Sequence, residues 1–173
     1  MKLAADPESR VHDAHHEALR LWLRLFTCTQ LIERVIRARL RREFNTTLPR
    51  FDLMAQLQRN PDGLKMGELS KRLLVTGGNV TAITDLLAAE GLVERAPITG
   101  DRRAFAVRLT AKGRRAFGAM ARAHERWVIE LMSDVRPADR GALYELLGHL
   151  KEALRGIPKR KLRLMRAAEE NTR

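Results

Sequence analysis

Apolar and polar positions divide the chain into blocks of different period. No glycine or proline falls between residues 8 and 48, and apolar side chains recur there at helical spacing on two stripes. Leu19, Trp22, Leu23 and Phe26 make one; Leu21, Leu25, Cys28, Ile32 and Val35 make the other. The pattern predicts a helix from about Pro7 to Phe44, capped by Asp6 and reaching about 50 Å at 1.5 Å per residue. A small domain cannot cover two faces of so long a rod, so a second copy of the chain is expected to bury one. Thr47 and Pro49 then open a short helix carrying Phe51, Leu53, Met54 and Leu57, and Asn60-Pro61-Asp62-Gly63 makes a turn. A second short helix runs from Met66 to Leu74 with Leu69 and Leu73 inward. Thr76-Gly77-Gly78 interrupts, and a third runs from Asn79 to Glu90 with Val80, Ile83 and Leu87 on one face. Gly91 fits as its left-handed terminator.

The period then changes to two. Leu92-Val93-Glu94-Arg95 predicts a short strand, residues 96–102 a loop, and residues 104–110 a second strand with Phe105, Val107 and Leu109 on one face. This is a β-hairpin with a long basic tip. Thr110 caps a helix reaching about Val135, with Met120 and Trp127 among its apolar residues. Pro137 opens a last helix to about Arg155, for which Leu143, Leu146, Leu147, Leu150 and Leu154 supply the core face. Arg136 before that proline is a poor cap, and Asp134 is the expected substitute. The expected fold is therefore mainly α with a small β-hairpin wing. A winged helix-turn-helix is expected at residues 47–110, flanked by helical segments at residues 1–46 and 111–157. Residues 158–173 form a basic, flexible tail.

Composition narrows the partner. The 173 residues carry 33 Lys and Arg against 21 Asp and Glu, a formal charge of +12, and the pI is near 11.1. Such a chain suits a polyanion: nucleic acid, an anionic membrane surface or a phosphate-bearing ligand. The most apolar stretch, residues 19–36, contains Arg20, Arg24, Glu33 and Arg34. Each would cost roughly 2.5–3.5 kcal/mol inside a bilayer, so no membrane span is expected. The amino-terminal apolar run is only Leu3-Ala4-Ala5, too short for an export signal. A single cysteine excludes an internal disulfide framework and favours a reducing compartment. A cytoplasmic protein is the expectation. No nucleophile elbow, metal pair or supported Cys–His arrangement is present, so neither an enzyme nor a cofactor or metal is expected.

Short helices followed by a basic hairpin suit duplex DNA, whose major groove accepts a helix and displays distinct base edges. Gly77 and Gly78 let the backbone approach phosphates, Asn79 and Thr81 can hydrogen-bond base edges, and Ala82 can meet a thymine methyl. Residues 92–115 hold seven basic residues and two acids. An arginine on a hairpin tip fits a narrow minor groove, with Asp101 placed to orient Arg103.

The run Asp101-Arg102-Arg103-Ala104-Phe105-Ala106-Val107-Arg108-Leu109-Thr110-Ala111-Lys112-Gly113 resembles the wing signature of the MarR family of bacterial regulators. Asn79-Val80-Thr81, opening a helix that closes with Glu90-Gly91-Leu92-Val93, is similar as well. The resemblance spans about residues 15–155. It implies a bacterial, nucleoid-associated dimer joined through the first and last helices, with residues 1–46 and 111–157 as helical dimerisation platform, acting on a pseudo-palindromic double-stranded operator. It also implies DNA contacts from Ser70, Lys71, Thr76, Gly78, Asn79, Thr81, Ala82, Asp101, Arg102 and Arg103. The chain departs from many relatives at Thr76-Gly77, where they carry Ser-Pro, and at Ala82, where they carry a basic residue.

The family's effector cleft lies between platform and winged domain. Trp22, Phe26 and Met54 are candidates for its apolar wall, and Arg20, Arg24 and Arg50 for a carboxylate or phosphate partner. The texture around residues 48–54 and 76–80 resembles the branch that responds to aromatic acids or hydroxycinnamoyl-CoA thioesters such as p-coumaroyl-CoA. The expected function is thus a ligand-released repressor. The alternatives are an effector-independent architectural DNA-binding protein, or a thiol-based redox regulator acting through Cys28. Cys28 sits on an apolar stripe without a second thiol, so a packed core cysteine is the simpler reading. His12, His15 and His16 have metal-compatible spacing but no supporting ligand cluster.

Overall fold

The computed structural model describes residues 16–73, 75–98 and 101–156. The chain divides into two compact units, Met1–Val128 and Ile129–Arg173. In the first unit, helix α1 covers Glu17–Phe44; the expected start at Asp6 and Pro7 lies outside the described residues. Its carboxyl end is closed by Asn45 in the left-handed region (φ 48°), whose N–H reaches the Arg41 carbonyl at 3.1 Å. Only Ile36 and Leu40 of α1 are buried, whereas Leu19, Leu21, Trp22, Phe26 and Leu31 are exposed. The two-faced helix is real, and among the described residues only its last turns are buried.

Helix α2 (Leu48–Gln58) starts on Pro49 after Thr47, although the Thr47 side chain makes no capping bond. It buries Phe51, Leu53, Met54 and Leu57 and packs against α3 (Met66–Leu73) and α4 (Gly77–Ala89). Strands β1 (Leu64–Lys65), β2 (Val93–Ile98) and β3 (Asp101–Leu109) form an antiparallel sheet in the order β1-β3-β2. Helix α5 (Ala111–Leu131) begins where the Gly113 N–H donates to Thr110 Oγ1 at 3.0 Å, the expected cap. Phe117, Met120, Ala123 and Trp127 of α5 are buried, with Phe51 against Phe117 (ring centroids 5.4 Å) and Phe44 against Trp127 (6.2 Å).

The structure corrects several expectations. Residues 96–102 do not form an open loop: β2 runs on to Ile98, β3 starts at Asp101, and a bulge sits at Pro97/Ile98. Because β2 is an edge strand, Pro97 removes no bond from a central ladder. Phe105 does not join Val107 and Leu109 in the core; it is 53% exposed, paired with Pro97 toward the far end of the hairpin. β1 was not foreseen. Cys28 is exposed within the chain and not packed in a core.

In the second unit, α5 ends at Leu131 rather than Val135, and helix α6 covers Pro137–Arg155. Neither Arg136 nor Asp134 caps α6: Arg136 is the N-cap residue without a capping bond, and its Nε and Nη2 grip the Asp139 carboxylate at 2.6 and 3.0 Å. The leucines expected as a core face are not buried: no residue of α6 is, and Leu143, Tyr144, Leu146, Leu147 and Leu154 are exposed.

His124 of α5 stacks on Phe51 with ring centroids 4.9 Å apart, and burial holds its pKa below the ordinary 6.5. The folded state therefore binds this proton less readily than the unfolded chain. The stability this gives is complete above pH 6.5 and is lost as pH falls through the depressed folded value. Thermal unfolding followed from pH 7.5 down to about pH 5 should show stability falling, and His124→Gln should flatten that dependence. An unchanged slope in the variant would remove His124 as its source.

Candidate nucleic-acid interface

Helix α4 is held from one side. Val80, Ile83, Thr84 and Leu87 are buried, and the Thr84 hydroxyl donates to the Val80 carbonyl at 2.8 Å, so its burial leaves no unmet donor. The opposite side is open: Gly77, Gly78, Asn79, Thr81 and Ala82 are all exposed, and a Cβ on Gly77 or Gly78 would meet nothing within 4 Å. The helix starts earlier than expected, at Gly77, after Thr76 as N-cap with no side-chain bond. The Thr76 side chain therefore caps none of the first free N–H groups of α4.

The expected contact residues occupy different places on this surface. Ser70 is half-buried and donates to the Val75 carbonyl at 2.6 Å, so its proton stitches the turn between α3 and α4. Lys71 is exposed on α3. The Thr81 hydroxyl donates to the Gly77 carbonyl at 3.0 Å and keeps only acceptor capacity for an outside partner. Leu86 was not anticipated. It is 56% exposed, four residues after Ala82 and seven after Asn79, so it extends the same open face. Helical spacing was the signal that pointed to it.

On the wing, the cross-strand partners Glu94 and Arg108 form an ion pair at 2.7 Å, and Arg95 pairs with Asp85 of α4 at 2.5 Å. Lys112 donates to the Glu90 carbonyl and Arg114 to the Leu109 carbonyl, each at 2.8 Å. Four of the five basic residues whose side chains are described thus have partners inside the chain. Asp101, Arg102 and Arg103 lie on β3 at the far end of the hairpin, and their side chains lie outside the described set.

The six effector candidates do not converge within one chain. Arg50 and Met54 line a cleft of about 190 Å³ together with Phe44, Asn45, Thr46, Glu90, Leu92, Ala116, Ala119 and Met120. Arg20 and Arg24 border a separate depression on α1, and Trp22 and Phe26 stack on each other at 5.6 Å on its exposed part. Of the three histidines, His12 and His15 lie outside the described residues, and no metal-competent cluster occurs among those described. Among the described residues no helix is long and apolar enough to cross a membrane.

Comparison with known proteins agrees with this geometry. The model of the MarR family matches residues 44–104. The HTH-type transcriptional regulator PecS of Dickeya dadantii is 26% identical over 60% of this chain and 64% of its own length. The chain thus spans just under two thirds of the curated relatives it matches first. A mutant MarR from E. coli, crystallised with operator DNA, shares the fold with a TM-score of 0.68 at 24% identity, over 80% of this chain and 98% of its own. A MarR family transcriptional regulator from Silicibacter pomeroyi superposes with a TM-score of 0.70 at 34% identity, over 82% of this chain and 98% of that one. PecS and the Silicibacter protein are transcriptional regulators, not enzymes. On the strength of the wing motif, the fold and this last match, the chain belongs to the MarR family of transcriptional regulators.

Proposed function

We propose that the chain acts as a homodimeric, ligand-released repressor on a pseudo-palindromic operator, in a bacterial cytoplasm. The observation that carries the reading is the one-sided burial of α4, whose Gly77-to-Ala82 face stands free in a chain that also bears an arginine-tipped hairpin. In this reading residues 47–110 read DNA, with Ser70, Lys71, Thr76, Gly78, Asn79, Thr81 and Ala82 in or beside the major groove. Asp101, Arg102 and Arg103 reach the minor groove. Residues 1–46 and 111–157 form the platform, because the bare apolar stripes of α1 and α6 each need a covering surface. Half-sites are expected about 10 bp apart. PecS, an HTH-type regulator, and the operator-bound MarR, a protein of the same fold, support the DNA-binding part.

The effector we assign is a small aromatic acid or its CoA thioester. Arg50 and Met54 form the nearer part of its site, with Arg20, Trp22, Arg24 and Phe26 contributing from α1. The small cleft beside Arg50 favours the free acid.

Titration of the purified protein with an operator duplex and a scrambled duplex tests the reading. Binding should prefer the operator, and log K should fall with log salt at a slope near −0.9 per phosphate neutralised. Equal affinity for both duplexes would instead identify an architectural DNA-coating protein, and a flat salt response would exclude a nucleic-acid partner.

A further inference from the structure

We propose that α4 reads A·T pairs and not guanine, with Leu86 and Ala82 set against thymine methyl groups and Asn79 against an adenine. The inference rests on the DNA-binding part of the reading above and names the base-edge chemistry which that part leaves open.

The 13 residues of α4 include no lysine and no arginine. Bidentate recognition of guanine O6 and N7 uses one or the other, so α4 lacks the donor for the commonest specific base contact. Its one acidic residue, Asp85, pairs with Arg95 of β2 at 2.5 Å, which occupies a carboxylate that could otherwise accept from cytosine N4. The Thr81 hydroxyl is an acceptor only, because its proton is committed to the Gly77 carbonyl. Asn79 is left with the one side-chain amide of the helix, exposed near its start, and an amide pairs in both senses with adenine N6 and N7.

The rest of the open face is apolar. Gly78, Ala82, Leu86 and Ala89 are all exposed and follow one another at spacings of four, four and three, a single line along the helix. A lone exposed leucine is ordinary on a protein surface. Leu86, at 56% exposed, stands instead in line with small residues on the face that meets the duplex in this reading. Among the groups that base pairs display in the major groove, the thymine C5 methyl is the apolar one. Packed against Ala82 or Leu86 it leaves water without stripping solvent from any polar atom of those side chains. Asn79 and Leu86 are seven residues apart, about 10 Å along the axis, which matches about three base-pair steps of 3.4 Å. Lys71 on α3 and the arginines of the wing then supply the charge, as phosphate and minor-groove contacts that position the chain, and α4 is free to be neutral.

Selection of the full chain on a random-sequence duplex pool, followed by anisotropy titration of the enriched duplex and of copies carrying deoxyuridine in place of single thymines, tests this. The half-site should hold a run of A·T pairs. Deoxyuridine at one or two positions within that run should weaken binding about two- to fivefold each, the effect of one sheltered methyl group, and deoxyuridine in the flanks should change nothing. Leu86→Ala should melt with the parent and should bind the thymine and uracil forms equally at one of those positions, because the partner of that methyl is gone. Loss of a difference between two duplexes cannot come from misfolding. A half-site dominated by G·C, a site in which no deoxyuridine weakens binding, or a Leu86→Ala variant that keeps the thymine preference at every position would each overturn the proposal. Those three results leave sequence-specific binding standing, whereas a pool that enriches no sequence would overturn that reading and this inference with it.

Discussion

Gly113→Ala is expected to destabilise the folded chain by about 2–3 kcal/mol, among the larger effects available to one added methyl group. An ideal Cβ at Gly113 would lie 1.9 Å from the Leu92 carbonyl oxygen and 2.9 Å from its carbon. Both atoms are backbone, so no rotamer change relieves the clash. The same Leu92 oxygen accepts the Thr110 N–H at 3.1 Å, and Gly91 just before it holds a left-handed φ of 68°. Moving α5 away would therefore loosen the contact that carries the end of α4. The melting temperature should fall by roughly 4–12 °C. Gly118→Ala, whose Cβ would have only Arg122 Nη1 at 3.5 Å as a neighbour, should be neutral or slightly stabilising and serves as the control. Equal melting of the Gly113 variant and the parent would contradict the close approach of α5 to Leu92.

Arg103→Ala is expected to weaken operator binding by about 1–3 kcal/mol, roughly five- to 150-fold, while leaving the oligomeric state and the melting temperature unchanged. The nearer part of the hairpin is largely neutralised by Glu94–Arg108 and Asp85–Arg95. In the proposed reading the charge that the wing offers a duplex is therefore carried by Arg102 and Arg103. Arg95→Ala, which removes a charge already paired with Asp85, should cost clearly less in the same mobility-shift titration. Equal affinity of the Arg103 variant and the parent would take the wing out of DNA recognition.

Much of this was legible in the sequence, for reasons of period and local chemistry. The stripes of α1, the inward positions Val80, Ile83 and Leu87 of α4, the left-handed Gly91 and the Thr110 cap all follow from short-range rules. The hairpin was read too short because Pro97 is a loop signal until it is known that β2 lies at the sheet edge. β1 has two residues and no period to detect; only its pairing of Leu64 with Val107 reveals it. The stripe on α6 was seen as apolar and expected as a core face, and none of its residues is buried among the described ones, because amphipathicity states that a face needs cover without saying who supplies it. The Arg50–Glu90 pair spans forty residues of sequence and belongs to no motif. The candidate effector residues were assembled by type and resemblance, and the folded chain separates Arg50 and Met54 from the four on α1.

The central claim is that two copies of this chain hold two winged bodies on one duplex. Sedimentation velocity of the protein alone, and then with a duplex of about 25 bp carrying the operator, tests it most directly. The account predicts a dimer in the absence of DNA and a complex of two chains per duplex that survives competition by scrambled DNA. A monomer that stays free of the duplex, or that coats it in proportion to its length, would contradict it.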